Sequence, residues 1–286
     1  MTEARRGAVI RHLQGRPEYE AAVAVQERIW GENFGERVPP AILQVAQKVG
    51  GVSAGAFAAD GTLVGFVFGL TGVVEDEVVH WSDMLAVLPE WRGQGLGVDL
   101  KAFQRGALLE RGITTMYWTF DPLEARNAHL NLARLGAVSR QYIPDMYGVP
   151  TSPMHRGIGT DRLVILWELD SPRTEERLRR GPPAQSPETP GAAPALDVET
   201  PAPQGGDPGP AEPDLSLEGR DAVTVAVPPA IQDLKARNPT LALRWREATR
   251  AAFRHYIERG FEVRELIRHR HAESPPRYLL VRERTG

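Results

Sequence analysis

From Gly181 to Pro213 the chain holds ten prolines, no aromatic residue, no isoleucine and one leucine, Leu196. A stretch so poor in apolar side chains buries too little surface to offset the entropy of ordering it. Residues 171–219 are therefore expected to form a disordered, partly polyproline-II linker. It divides the 286 residues into a body, 1–170, and a smaller unit, 220–286. The whole chain is 42% hydrophobic and 25% charged, as globular proteins are. A net charge of −3 argues against a nucleic-acid partner. There is no cysteine, which excludes disulfides, thiolate metal sites and a Cys nucleophile. No metal is expected. Arg5 and Arg6 precede no apolar run of signal-peptide length, and the most apolar stretch, residues 63–70, falls short of the roughly 20 residues a span needs. The expected location is cytoplasmic, with no membrane partner.

In the body, residues 8–13 read as a strand, and helical patterns start at Pro17 and at Pro39-Pro40. Asp60-Gly61 is a two-residue hairpin signal between strands at 52–58 and 62–71. Residues 78–88 form a further strand, and Leu96, Leu100, Phe103 and Ala107 then recur at helical spacing until Gly112. A strand at 114–120, a helix at 125–135 and strands at 137–142 and 162–169 complete the body. The smaller unit reads strand, helix, helix, strand, strand. Its longer helix has Asn238 as cap, Pro239 at the first position and Gly260 past its end. The pattern is α+β, or mixed α/β, around a central sheet flanked by helices, with a small C-terminal α+β unit.

The strand ending near Leu88 runs into Pro89-Glu90-Trp91-Arg92-Gly93-Gln94-Gly95-Leu96-Gly97, and a helix begins inside that loop. Glycines allow positive φ and a close approach of backbone to ligand. Amides at a helix N-terminus favour an anion, and Arg92 would add a charge-assisted contact. A phosphate ligand is expected, although a ligand-free glycine turn has the same spacing. The GxxxxGK loop of nucleotide triphosphatases is absent. A dinucleotide fingerprint would need glycine where Val98 stands. Asp121, at the end of the next strand, keeps a dinucleotide-dependent oxidoreductase as an alternative, although the loop follows an antiparallel hairpin rather than opening a βαβ series.

Val87-x-Pro89-x-x-Arg92-x-x-Gly95-x-Gly97 resembles the acyl-CoA-binding motif of the GNAT (GCN5-related N-acetyltransferase) superfamily, and Asn127 with Leu135-Gly136-Ala137 resembles its next motif. The resemblance covers about 160 residues, from 8 to 170. Segments such as Trp118-Thr119-Phe120-Asp121-Pro122-Leu123 and Thr160-Asp161-Arg162 are similar to a bacterial branch that includes N-succinyltransferases of amino acids. The resemblance implies an N-acyltransferase using acetyl-CoA or another acyl-CoA, with a small-molecule amine or amino acid as acceptor. The cofactor's pyrophosphate would lie on the amides of Arg92, Gly93, Gln94, Gly95, Leu96, Gly97 and Val98. The pantetheine would run between the strands at 78–88 and 114–120, beside Leu85, Ala86 and Val87. Asn127 would touch the pantetheine or order its helix end. A backbone amide near Val87 would stabilise the thioester oxyanion, and the amine would attack directly, with no covalent enzyme intermediate.

Direct attack needs a base to take the ammonium proton. Strict alternation puts Val79, Trp81, Asp83, Leu85 and Val87 on one face of the strand, and His80, Ser82, Met84 and Ala86 on the other. Asp83 lies nine residues before Arg92, where polyamine acetyltransferases of the superfamily place a catalytic glutamate; a structural hydrogen bond is its other role. His80 is the second candidate base. The family's proton-donating tyrosine position is Leu132 here. Tyr147 or Tyr142 would have to replace it, or the thiolate leaves unassisted, or the chain is a catalytically inactive acyl-CoA-binding module. Arg126, Arg156 and Arg162 are candidates to clamp an acceptor carboxylate. Glu75, Asp76 and Glu77 read as a solvated loop. Arg246, Arg250 and Arg254 read as a solvated helix face, and His269 and His271 do not make a metal site. Trp91 either caps an adenine or packs. Homodimer formation is left open by the sequence.

Overall fold

The computed structural model describes residues 2–3, 7–32, 34–148, 157–183, 191–199, 207–268 and 274–282. Arg156, His269 and His271 lie outside them. The chain folds as a mixed α+β protein in which helices pack on β-sheet. Its described residues cluster into two compact units. Up to Trp118, and again over Trp167–Leu178, they belong to the first; Thr119–Pro150, Met154–Leu166 and Arg179–Gly286 supply the second.

In the first unit, β1 (Thr2–Glu3) and β2 (Val9–His12) precede α1 (Gly15–Trp30) and α2 (Pro40–Lys48). Three further strands follow: β3 (Val52–Phe57), β4 (Leu63–Val74) and β5 (Glu77–Val87). Each of β2 to β5 pairs antiparallel with the one before it. The first hairpin turns through Ala59-Asp60-Gly61, one residue longer than the expected two-residue turn, with the Ala58 amide on the Thr62 carbonyl and the Thr62 amide donating to Asp60. The second turns at Glu75-Asp76, both with positive φ. The acidic run is thus a tight turn at the end of a longer hairpin than the sequence suggests. The segment after it, α3 (Leu96–Leu109), leads to β6 (Thr115–Phe120), whose Met116 and Tyr117 pair in parallel with His80 and Trp81. Tyr19, Ala22, Leu43 and Ala46 of the first two helices pack on Phe66, Phe68, Met84 and Ala86 of β4 and β5. Burial of the larger of these, Leu43, Phe66, Phe68 and Met84, contributes about 1.5–3 kcal/mol each.

The second unit holds α4 (Ala125–Ala128), a π-turn over His129–Arg134, and the antiparallel pair β7 (Val138–Ile143) and β8 (Arg162–Glu168). Within 171–219, the described residues are not the structureless linker that composition suggests. They contain α5 (Pro172–Arg180) and β9 (Ala193–Leu196). The short strand pairs in parallel with β10 (Ala222–Ala226), and Pro208 accepts a hydrogen bond from the Trp245 indole. Prolines were no obstacle, because β9 lies at a sheet edge. After β10 come α6 (Ile231–Arg237), α7 (Pro239–Ile257), β11 (Phe261–Ile267) and β12 (Arg277–Arg282). Asn238 caps α7 as expected, accepting from the Leu241 amide at 3.0 Å.

Nor do residues 220–286 stand as a unit of their own. Val263 of β11 pairs with Ser139 of β7, and the Tyr278 hydroxyl donates to the Pro122 carbonyl at 2.6 Å. The arginine stripe of α7 is not a solvated face either. Arg246 is fully buried and grips both oxygens of Asp121 at 2.8 and 2.6 Å. Arg250 bonds both oxygens of buried Asp161 and also reaches Asp145. Only Arg254 matches the expectation, as an exposed partner of Glu258.

Breaking a buried ion pair strands a charge in a low-dielectric interior. Arg246→Ala is expected to cost about 3–5 kcal/mol. The double replacement Asp121→Leu, Arg246→Met should recover most of it. Urea unfolding of the three chains measures both.

Candidate functional site

The site of interest lies in the first unit, where β5, the glycine loop and α3 follow one another. The β5–β6 ladder records His80↔Met116 and Trp81↔Tyr117 and stops there. Ser82 to Val87 have β4 on one edge and no strand on the other. The register explains the divergence. Phe68 faces Met84, while Leu70 faces Trp81, so Gly69 alone stands opposite Ser82 and Asp83. This is a β-bulge, which bends the strand and twists it away from its neighbour. A methyl group at Gly69 would collide with the His80 ring and the Trp81 carbonyl, so the close approach requires glycine.

The bulge also corrects the alternation expected from sequence. His80 and Ser82 turn toward α3, whereas Met84 and Ala86 join the core under α1 and α2. Asp83 sits in the bulge, open to solvent. Burial by the surrounding protein, and then the charge of Glu36, push its pKa above the ordinary aspartate value, with the Trp81 indole pulling the other way. His80 does not face this site. It is fully buried, with Nε2 3.0 Å from Gln104 and Nδ1 3.2 Å from Thr71. Burial, with Lys101 and Arg111 nearby, pulls it down to about 3. It is a core residue and not a base.

Past the strand, Pro89–Trp91 make one turn of 3-10 helix, and Trp91 packs on the hydrophobic core. Gly93 and Gly95 take φ of +78° and +90°, a region unfavourable to other residues. Gly95 then caps α3, accepting from the amides of Val98 and Asp99. Among the described residues, the amides of Gly93, Gln94, Gly95, Leu96 and Gly97 donate to no protein acceptor. Five consecutive donors at the N-terminus of a 14-residue helix form a cradle for an anion. Val98, expected among them, is already bonded within the helix. Arg92 is exposed, with its Nε on the Val87 carbonyl at 2.9 Å and its terminal nitrogens unbonded.

Beneath the diverging strands lies a polar chain that sequence reading missed. The Lys101 amine, fully buried, donates to Ser82 Oγ at 2.7 Å and lies 3.7 Å from the centre of the Trp118 ring. Ser82 donates to Gln104, which bonds His80, which bonds Thr71, which donates to the Gly50 carbonyl. Among the described residues no carboxylate pairs with Lys101, and burial pushes its pKa far down. Only the helical spacing of Lys101 and Gln104 among apolar residues hinted at this.

The remaining expected residues belong to the second unit. Tyr147 is partly exposed, 3.0 Å from Thr119 Oγ1, with the Arg162 guanidinium 5.1 Å from its ring centre. Arg162 is buried and donates to the Asp161 carbonyl. Tyr142 is buried and donates to Asp161, so it is not available as a proton donor. Leu132 is fully buried. Asn127 and Arg126 are exposed on α4, and Asn127 makes no capping bond. Arg126 is close enough to Arg268 to lower its pKa, after burial. Asp121 is occupied by Arg246 and by the Leu123 amide. Buried and held by these bonds, it offers no exposed carboxylate to a ribose, which argues against the dinucleotide alternative.

The buried amine makes stability depend on pH. Between its lowered native pKa and the unfolded value near 10.4, the unfolded chain binds the extra proton, so stability rises with pH. Lys101→Met should flatten that rise on the approach to the unfolded value, seen as urea midpoints across the range.

No protein-family model and no curated protein matches the sequence. Several solved structures are similar to about half of it. The ribosomal-protein-S18-alanine N-acetyltransferase of Escherichia coli is 18% identical, with 57% of this chain and 95% of that one covered and a TM-score of 0.44. A phosphinothricin acetyltransferase from Sinorhizobium meliloti, in complex with acetyl-CoA, is 14% identical over 56% of this chain and 86% of that one, at 0.43. An acetyltransferase of the GNAT family from Streptococcus pneumoniae is 16% identical over 56% and 98%, at 0.46.

Proposed function

We propose that the chain is an acyl-CoA-dependent N-acyltransferase of the GNAT type. It moves an acetyl or succinyl group from the thioester of CoA to the amine of a small molecule, amino acids among them. The observation that carries this reading is the run of five unbonded amides, Gly93 to Gly97, beside a strand whose ladder ends at Trp81. A diphosphate fits five convergent donors, and Arg92 adds a cation. An extended pantetheine fits the edge of β5 away from β4 near Leu85, Ala86 and Val87, which no strand pairs with among the described residues. Amides on that edge, Val87 among them, are the donors we assign to the thioester oxygen.

Asp83 is the base in this reading. A carboxylate with a raised pKa, reached by solvent, takes the proton that the acceptor amine loses as its nitrogen bonds the acyl carbon. The thiolate of CoA departs as the carbon–sulfur bond breaks. Tyr147, partly exposed, is the proton donor we assign to it. For the carboxylate of an amino-acid acceptor or of a succinyl group, Arg126 is exposed beside a second guanidinium, a pairing that favours an anion. Arg162 would act through the Tyr147 ring it covers. Asn127, exposed and uncommitted to its helix, remains assigned to the pantetheine.

CoA is expected to raise the melting temperature, and NAD not to. Gly95→Glu places a side chain at φ +90° and a negative charge in the cradle, and should abolish the CoA shift. Retained affinity would overturn the loop assignment. Thiol release from acetyl- and succinyl-CoA across a panel of D- and L-amino acids and amines then identifies the substrates; CoA binding with no turnover would leave an inactive acyl-CoA module.

Asp83→Asn should lower kcat by about 10²–10⁴-fold. It should also remove the acid limb of the kcat/KM profile, which in the parent lies above the ordinary aspartate range. An unchanged limb would reassign Asp83 to structure.

A further inference from the structure

Ten large hydrophobic residues are exposed among those described, and seven of them lie in one region of the first unit. Four are on the β4–β5 hairpin: Leu70, Val73, Val74 and Val78. The others are Ile42 and Val45 on α2, which buries Leu43 and Ala46, and Val49 just past its end. Their exposures run from 41% to 68%. The register puts Val73 opposite Val78 on one face of the hairpin and Leu70 and Val74 on the other, so the exposed apolar surface wraps both faces of its tip. The two groups adjoin, because Thr71 of β4 donates to the Gly50 carbonyl just past Val49.

The hairpin tip also has free strand edges. β3 pairs with β4 no further than Gly69, and β6 pairs with β5 no earlier than His80. Leu70 to Val74 and Glu77 to Val79 therefore pair only with each other. A β-branched strand with an open edge invites another strand unless charge or proline blocks it. Neither interrupts residues 70–74.

We propose that this surface is a two-fold interface between two copies of the chain. Its charges are self-complementary. The turn ends in Glu75, Asp76 and Glu77, all exposed, while the other end, at the C-terminus of α2, carries exposed Lys48 and Arg111, the latter bonded to the Gly50 carbonyl. A two-fold axis across the hairpin brings each acidic end to the partner's basic end, as an isologous contact requires. The interface is independent of the acyl-transfer reading.

The absence of cysteine makes the test direct. Sedimentation of the full chain should show a dimer at micromolar concentration. Val73→Lys should raise the dimer dissociation constant at least tenfold while leaving the circular dichroism spectrum unchanged. Single variants Val73→Cys, Val74→Cys and Val78→Cys place thiols along the hairpin, and at least one should form an intermolecular disulfide under mild oxidation. A monomer at about 100 µM would overturn the proposal, as would a dimer that none of the three cysteines cross-links and Val73→Lys does not weaken. A heteromeric partner or a membrane as the true occupant would appear as the monomer result.

Discussion

One extra residue in β5 organises the first unit. Because Ser82 and Asp83 together face Gly69, the strand cannot continue alongside β6 beyond Trp81. The same defect turns Ser82 inward, sets Asp83 at the solvent edge and leaves the rest of β5 with a free side. A regular strand would have closed the gap with backbone hydrogen bonds and buried the aspartate or stranded it on an apolar face. Without Gly69 the bulge has no room, so the smallest residue on β4 is as important to the site as any charged group on β5.

The second unit is held differently. Its long-range connections are buried ion pairs and hydroxyl bonds: Arg246 on Asp121, Arg250 on Asp161, Tyr142 on Asp161, Tyr278 on Pro122. Buried pairs contribute little net stability compared with apolar contacts of the same shape, but they tolerate few alternative arrangements. Burial alone would raise Asp161, yet bonds from Arg250 and Tyr142 hold it below the ordinary range. The helix that brings these arginines starts where Asn238 and Pro239 say it should.

What was legible in the sequence was local. Asp60-Gly61, the α7 cap and the glycine loop each depend on residues within a few positions, and each lies where its residue types require. The bulge was not legible, because it exists only as a mismatch between two strands, and strict alternation put Met84 on the wrong side. The roles of Arg246 and Arg250 were hidden for a similar reason: their partners lie 125 and 89 residues away. Charges at helical spacing look solvated until the tertiary partner is known. His80 failed as a base because nothing near it in sequence announces Gln104. The proline-rich segment yielded a strand because β10 offered it an edge, which composition cannot see.

The buried lysine under the diverging strands has a consequence for how α3 is indexed. Its amine, Ser82, Gln104 and His80 form a chain in which each donor meets one acceptor and the last link is a backbone carbonyl. Sliding α3 by one turn along the sheet would abandon an amine and an amide in hydrocarbon, at a cost far above that of repacking leucines. The helix therefore has one permitted longitudinal position. Since the glycine loop is continuous with its first turn, a polar lock two turns deep decides where the open amides point.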